Sequence, residues 1–276
     1  IVVDDLASTM AAAIVTKKQT ITLAHIAAGT RSFDITMPKE INRLVIDGLS
    51  DILFTAGFSN NSIANKEGAE LSKVYMVGNI LIDNIRYNRE RVEGMRLNDI
   101  DALAGLPLKE GCYIVFTLNR KALLADQENL EKMLRVLCET AGDLPIIAPL
   151  RDSAVQVIMA LGLKKNISLH NLHIVKPLNY LQFAYLTSHA QGIVTDSGNV
   201  AEEATFNNIP CITLNSYTEH IETVKVGSNV LVGEDAELLR SAFADMVSGT
   251  WKKCGIPDRW DGRSAERIVQ ILLEHR

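Results

Sequence analysis

Residues 192–208 read GIVTDSGNVAEEATFNN. The first four are small or β-branched and carry no charge, the pattern of a strand buried on both faces. The strand ends in Thr195-Asp196; Ser197, Gly198 and Asn199 then make a polar turn, and from about Val200 the pattern is helical. A strand that passes through a short turn straight into a helix is half of a βαβ unit, so this stretch predicts a parallel α/β sheet. It also predicts a place for an anion, because the first turn of a helix presents backbone N–H groups and the positive end of its dipole. Ser197 adds a hydroxyl and Gly198 permits close backbone approach. The same residues read equally as an ordinary helix cap, and both readings stay open.

The rest of the chain repeats the theme. IVV, ITLAHI, DILFTA, KVYMVG, CYIVFTL, LPIIAPL, LHIVKP, GIVTD, CITL and NVLVG are short apolar runs suited to buried strands. Helical patterns such as STMAAAIVTKK and QENLEKMLRVLCETAG lie between them. The segment at 88–111 has mixed charge, little strand character and a Gly/Pro finish, and is read as the boundary between two lobes. One lobe is placed at 1–95, joined by the helix at 260–276; the second is placed at 96–259. In open α/β sheets ligands bind outside the carboxyl ends of strands, so the loops after IVV, LAHI, YIVFTL and GIVT are expected to face a common cleft. The chain opens on IVVDDLASTMAAAIV, already a strand running into a helix, which predicts further sequence upstream.

Composition excludes several classes. The chain has 276 residues, 47% hydrophobic and 22% charged, with a net charge of −5. It carries no Lys/Arg cluster of the density that nucleic-acid binding leaves, so no nucleic-acid partner is expected. No apolar run approaches the length of a membrane span. The four cysteines form no C-x-x-C pair, and no metal or cofactor is expected. Cys112 and Cys211 lie in apolar runs and are predicted to be buried. Reduced thiols and the lack of a signal peptide point to the cytoplasm.

Other residues carry two readings each. Glu202 and Glu203 fall in a first helical turn, where carboxylates favour the dipole; either could instead accept hydrogen bonds from a ribose diol. Tyr180 and Phe183 open a helix as core residues or as a platform for a base. His25 follows a strand and is expected to be a structural, hydrogen-bonded imidazole.

Four stretches together resemble the non-hydrolysing UDP-N-acetylglucosamine 2-epimerases: HIAAGTRSFDITMPKEINR (25–43), VGNILID (77–83), PLNYLQFAYL (177–186) and TDSGNVAEEATFNNIPCITLNSYTEHIETVKVGSNVLVG (195–233). Their order and spacing fit along essentially the whole chain. The resemblance implies an α/β protein of two Rossmann-like lobes, similar to GT-B glycosyltransferases, with UDP in a central cleft. It implies a first lobe lacking its amino-terminal strands, a UDP-sugar as ligand, a homodimer, and a role in surface polysaccharide synthesis. The implied reaction interconverts UDP-GlcNAc and UDP-ManNAc by eliminating and re-adding UDP. Residue by residue, it places Asp5 as an active-site aspartate, Phe183 near the uracil, Ser197 and Gly198 on the diphosphate and Glu203 on the ribose. Arg31, Asn42 and Arg43 match the polar frame of the first loop, and Arg120 and Asn119 follow a strand end near the substrate.

The departures from that pattern are specific. H-x-E-A-G stands here as HIAAG, so Ala27 occupies a catalytic glutamate position. P-E-E-x-N-R stands as PKEINR, which puts Lys39 at a second. Asn119 replaces a histidine, His220 replaces a diphosphate-binding arginine, and D-S-G-G becomes DSGN. Lys39 then pairs with a phosphate, pairs with Asp5, or is a solvated helix-start lysine. Glu40 does not restore the lost acid, because neighbours on a helix point about 100° apart. A homologue that binds a UDP-sugar without turnover is the alternative to an epimerase.

Overall fold

Among the described residues ten short strands, all paired in parallel, form two sheets, and each run read as a strand overlaps one. The computed structural model describes residues 1–274. The first sheet runs in the order β1 (Val2–Val3), β2 (Ala24–Ala28), β3 (Ile52–Thr55), β4 (Val74–Met76). Its connecting helices are α1 (Ala7–Lys18), α2 (Pro38–Leu49) and α3 (Phe58–Lys66), followed by α4 (Ile80–Glu93). Proline at the start of α2 has no N–H to leave unsatisfied and its fixed φ suits a first helical turn. Leu53 faces Ala28 and Ala64, whereas Ile52 and Phe54 face Ala24, Val77 and Ile268. This period-two split explains why the strand reads as an unbroken apolar run: both faces are covered.

The second sheet is built from β5 (Ile114–Phe116), β6 (Ile146–Pro149), β7 (Leu172–Val175), β8 (Gly192–Thr195), β9 (Cys211–Thr213) and β10 (Asn229–Leu231). Their spatial order is β10-β9-β8-β5-β6-β7. Along it lie α5 (Lys121–Ala125), α6 (Gln127–Ala141), α7 (Asp152–Lys165), α8 (Tyr180–Ser188) and α9 (Gly198–Phe206). A short α10 (Glu222–Lys225), then α11 (Ala236–Ser248) and α12 (Ser264–Glu274), complete the described helices. Ile114, Phe116, Val194 and Ile212 pack with Leu134, Leu137, Ile158 and Phe243 on one face. Tyr113, Val115, Ile193 and Cys211 pack with Tyr185, Leu186, Ala201 and Ala204 on the other.

The chain divides into two compact units. The first comprises Ile1–Tyr87, Thr218–Lys225 and the carboxyl-terminal segment from Ile256; the second comprises Asn88–Tyr217 and Val226–Gly255. The segment 218–225, read with the second lobe from sequence, thus clusters with the first unit, where Glu222 accepts hydrogen bonds from the backbone and hydroxyl of Ser59. Cys211 is buried, but Cys112 is exposed, against the sequence reading. Cys112 stands one residue short of the buried run, in a turn where its N–H donates to the Lys109 carbonyl. Among the described residues no helix is long and apolar enough to cross a membrane, and no group of His, Cys, Asp and Glu is placed to hold a metal ion.

Candidate functional site

The order of the second sheet has a switch point. From β5 the chain moves outward through β6 and β7, then returns on the other side of β5 through β8, β9 and β10. The loops after β5 and β8 therefore diverge from neighbouring strands, the place where open α/β sheets hold ligands. Thr117 and Thr195 join these strand ends by a hydroxyl–hydroxyl bond of 2.6 Å. Beyond them, Asp196 Oδ2 accepts the backbone N–H groups of Asn119 and Arg120, both at 2.6 Å. Asn215, in the loop after β9, donates its side-chain amide to the Asp196 carbonyl at 3.3 Å. Arg120 Nη1 returns the connection, donating to Asn215 Oδ1 at 2.7 Å and to the Leu214 carbonyl at 3.1 Å. Three strand-end loops are thus tied into one piece.

At its centre the Ser197 N–H donates to Thr195 Oγ1 at 3.0 Å. The Ser197 hydroxyl makes no capping bond to α9, so the cap reading of this residue does not absorb it. Gly198 is exposed and has open space where a Cβ would stand. Arg120 is anchored within the protein and also pairs with Glu234 at 3.2 Å, while the Asn119 side chain is exposed. On α8, started by an Asn179–Gln182 capping box, Phe183 is half-buried against the apolar cluster around Tyr185 and Leu186. Glu203 is half-buried on α9. Burial, with the neighbouring Glu202 carboxylate adding to it, pushes the Glu203 carboxyl up to about 7.

The first unit gathers a different set. Asp5, just past β1, is 5% exposed and meets the first turns of α2. Arg43 donates to Asp5 Oδ2 from Nε at 2.8 Å, and its Nη2 lies 2.6 Å from the same oxygen. Lys39 Nζ stands 3.0 Å from Oδ1. Asn42 donates to the Asp5 carbonyl at 2.8 Å. Arg43 is held further by Glu219 at 2.6 Å and Glu40 at 3.3 Å. Burial alone would raise the Asp5 carboxyl, but Lys39 and Arg43 outweigh it and keep it below the ordinary carboxylate range. The Lys39 side chain is 62% exposed, so its pair contributes about 1 kcal/mol at most to stability.

Other loop residues serve the frame. His25 Nδ1 donates to Asp47 Oδ1 at 2.6 Å, and Gly29 N–H donates to Asp47 Oδ2 at 3.0 Å. Arg31, buried, spans Asp47 at 2.8 Å and Glu67 at 2.5 Å, so its guanidinium is turned into this network rather than onto Asp5. Glu40 is buried and accepts the N–H groups of Ser32 and Phe33, so its carboxylate is committed to that turn. Ala27 lies where β2 slips register against β3 and has φ +70, a left-handed conformation that is rare for alanine. Gly29 has φ +71, and a Cβ there would overlap the Asn60 carbonyl. His220 is buried with its ring edge-on to Trp260, the centroids 6.1 Å apart.

Sequence reasoning missed two contributors. Asp196 reads from sequence only as the end of a strand, which gives its carboxylate no partner; the structure gives it the N–H groups of Asn119 and Arg120. Glu219 had no local signal, since it reaches Arg43 across 176 positions.

Comparison with known proteins follows the same lines. The sequence profile described as UDP-N-acetylglucosamine 2-epimerase matches residues 1–273. A UDP-N-acetylglucosamine 2-epimerase of Methanocaldococcus jannaschii is 35% identical, over 99% of this chain and 74% of its own length. A UDP-2,3-diacetamido-2,3-dideoxy-D-glucuronate 2-epimerase of Pseudomonas aeruginosa is 33% identical, over 99% and 74%. The crystal structure of the M. jannaschii enzyme in complex with UDP-GlcNAc and UDP superposes with a TM-score of 0.82 at 34% identity, over 99% of this chain and 74% of that one. The α/β fold with its two parallel sheets is accordingly of the GT-B-like kind expected. With the profile spanning nearly every residue and the relatives aligning end to end with this chain, it belongs to the UDP-N-acetylglucosamine 2-epimerase family.

Proposed function

We propose that the chain binds a UDP-sugar and holds it with little or no turnover. One observation carries this reading: Lys39 stands 3.0 Å from Oδ1 of Asp5 while Arg43 occupies Oδ2. The carboxylate kept at a proton-handling position thus has a cation on each oxygen.

Epimerisation at C2 makes definite demands. A base takes the C2 proton, the C–H electrons form a C1–C2 double bond, and the C1–O bond breaks with its pair leaving on UDP. On return a UDP oxygen rejoins C1 and a proton is delivered to the other face of C2. Proton-handling groups are needed on both faces. Ala27 has nothing to exchange, the Lys39 ammonium has no lone pair, and the Asn119 amide neither gives nor takes a proton near neutral pH. Loss of one general acid or base lowers rate by roughly 10²–10⁴-fold.

The binding half is better served. In this reading Ser197 and Gly198 take the diphosphate at the start of α9, Glu203 the ribose diol, and Phe183 the base. By the same resemblance Asn119 and Arg120 of the second unit, and Arg43, Arg31 and His220 of the first, are proposed as binding residues, with Arg31 acting through the loop it braces. The M. jannaschii relative, crystallised with UDP-GlcNAc and UDP, supports the nucleotide half. The relatives' names span a neutral hexosamine and a diacetamido uronate, so membership leaves the sugar open.

A second reading is favoured by the retained Asp5 and by the family itself. There the chain interconverts UDP-GlcNAc and UDP-ManNAc, as a cytoplasmic homodimer feeding surface polysaccharide synthesis. Two measurements separate the readings: calorimetric titration with UDP, and incubation with UDP-GlcNAc in deuterated water while C2 is followed by NMR. Binding without deuterium uptake is the expected result. Uptake at C2 establishes the second reading, and failure to bind UDP overturns both.

A further inference from the structure

We infer that Lys39 selects among UDP-sugars, and that the ligand it favours carries a carboxylate on its sugar. The inference rests on the UDP-sugar reading above and deepens it.

The two cations on Asp5 are unequal. The Arg43 side chain is 5% exposed and fixed by Asp5, Glu40 and Glu219 together. Lys39, at the second position of α2, is 62% exposed and has Asp5 as its ion pair. That pair is also imperfect. Asp5 Oδ1 is buried and accepts no aligned hydrogen bond among the described residues, although the ammonium stands 3.0 Å away. Arg43 is therefore part of the frame, and Lys39 is a loosely held cation with donors to spare.

Such a cation responds to the charge of what arrives. An ammonium on a flexible four-carbon stem can turn from one partner to another without moving the backbone. A sugar hydroxyl is a poor rival to the Asp5 carboxylate, so a neutral sugar leaves the pair in place. A sugar carboxylate is an equal rival that offers charge-assisted hydrogen bonds. When it takes Lys39, Oδ1 of Asp5 is left open to a hydroxyl or N–H of the same ligand. The exchange thus recognises the acid twice, once through Lys39 and once through the oxygen it uncovers. A glutamate at position 39 would do the opposite, since two neighbouring carboxylates repel a third. The residue type at this position sets the sign of the selection.

A UDP-sugar also carries its diphosphate, and the arms of the test keep the two anions apart. The full chain and its Lys39→Met variant are titrated calorimetrically with four ligands. These are UDP, UDP-GlcNAc, UDP-N-acetylglucosaminuronate with its carboxylate at C6, and UDP-N-acetylmuramate with its carboxylate on the C3 ether. At least one acidic sugar is expected to bind wild type about tenfold more tightly than UDP-GlcNAc, the size of one charge-assisted contact. Lys39→Met is expected to bring that ligand level with UDP-GlcNAc. The inference is overturned if neither acidic sugar is preferred, or if the preference survives in Lys39→Met. It is also overturned if the variant weakens UDP as much as the acidic sugars, which would assign Lys39 to the diphosphate. If wild type does not bind UDP, the UDP-sugar reading itself has failed and this inference falls with it. Lys39 is exposed, and unchanged thermal melting of the variant separates a binding effect from a folding one.

Discussion

The two strand-end acids of this chain, Asp5 and Asp196, are both buried and both multiply bonded, yet they are bonded to different things. Asp196 accepts backbone N–H groups, from Asn119 and Arg120. Asp5 is surrounded by side chains, from Lys39 and Arg43. A site made of backbone survives substitution of the residues it holds, because the N–H remains whatever side chain is attached. A site made of side chains changes its chemistry with one replacement. On the proposed reading, the strand-end turn of the second unit can therefore still suit a diphosphate beside Asn119 and Asn199, whereas the first unit has an alanine and a lysine where the family resemblance implies acids.

The sharpest way to break this contrast is to put the side chains back. A triple variant Ala27→Glu, Lys39→Glu, Asn119→His is expected to raise deuterium uptake at C2 of UDP-GlcNAc by roughly 10²–10⁴-fold, as NMR would record. No gain would mean that the frame itself has drifted. Next in size is Gly29→Ala, expected to lower unfolding free energy by about 2–4 kcal/mol in urea titration. Its cause is a left-handed backbone and a clash with the Asn60 carbonyl. Asp196→Ala leaves the N–H groups of Asn119 and Arg120 without their acceptor and is expected to cost about 1–3 kcal/mol in the same assay, with UDP affinity reduced. If Asp196→Ala is silent, the three-loop tie is not what shapes the turn.

A pH effect is expected at Glu203. Its carboxyl is raised to about 7 in the folded chain, from an ordinary 4.5. The folded state therefore binds more protons than the unfolded state between these values, so stability falls as pH rises through that window. Below it both states are protonated and nothing is lost. Glu203→Gln removes the slope, and thermal melting of the two proteins should converge near pH 4 and separate by pH 8, with the variant more stable. A ribose diol that supplies hydrogen bonds to the ionised carboxylate should narrow the gap when UDP is present.

Much of the fold was legible because its strands are buried on both faces, which strips them of alternation and leaves apolar runs such as YIVF and GIVT. The strand-end turn at 195–198 was legible for the same reason: polar residues that end an apolar run announce themselves. Lys39 against Asp5 could be named as one of three options, since the two residues lie in loops expected to meet. What sequence did not convey was the role of contacts made through backbone atoms. Asp196 meets Asn119 and Arg120 across 77 and 76 positions, and an N–H has no letter in the sequence. Cys112 failed for a local reason, since one residue decides whether a side chain belongs to the strand or to the turn before it.

The helix Ser264–Glu274 places Ile268 in the core of the first sheet, against Ala24, Ile52 and Phe54. A ribosome makes these partners in the opposite order from the one in which the second unit is completed. Every residue of the second unit has been synthesised by Gly255, while the first sheet still lacks the helix that covers one of its faces. Within these residues the first unit thus receives its last element after the second is complete. Until Ile268 emerges, Ile52 and Phe54 lack the side chain that packs against them on that face of the first sheet.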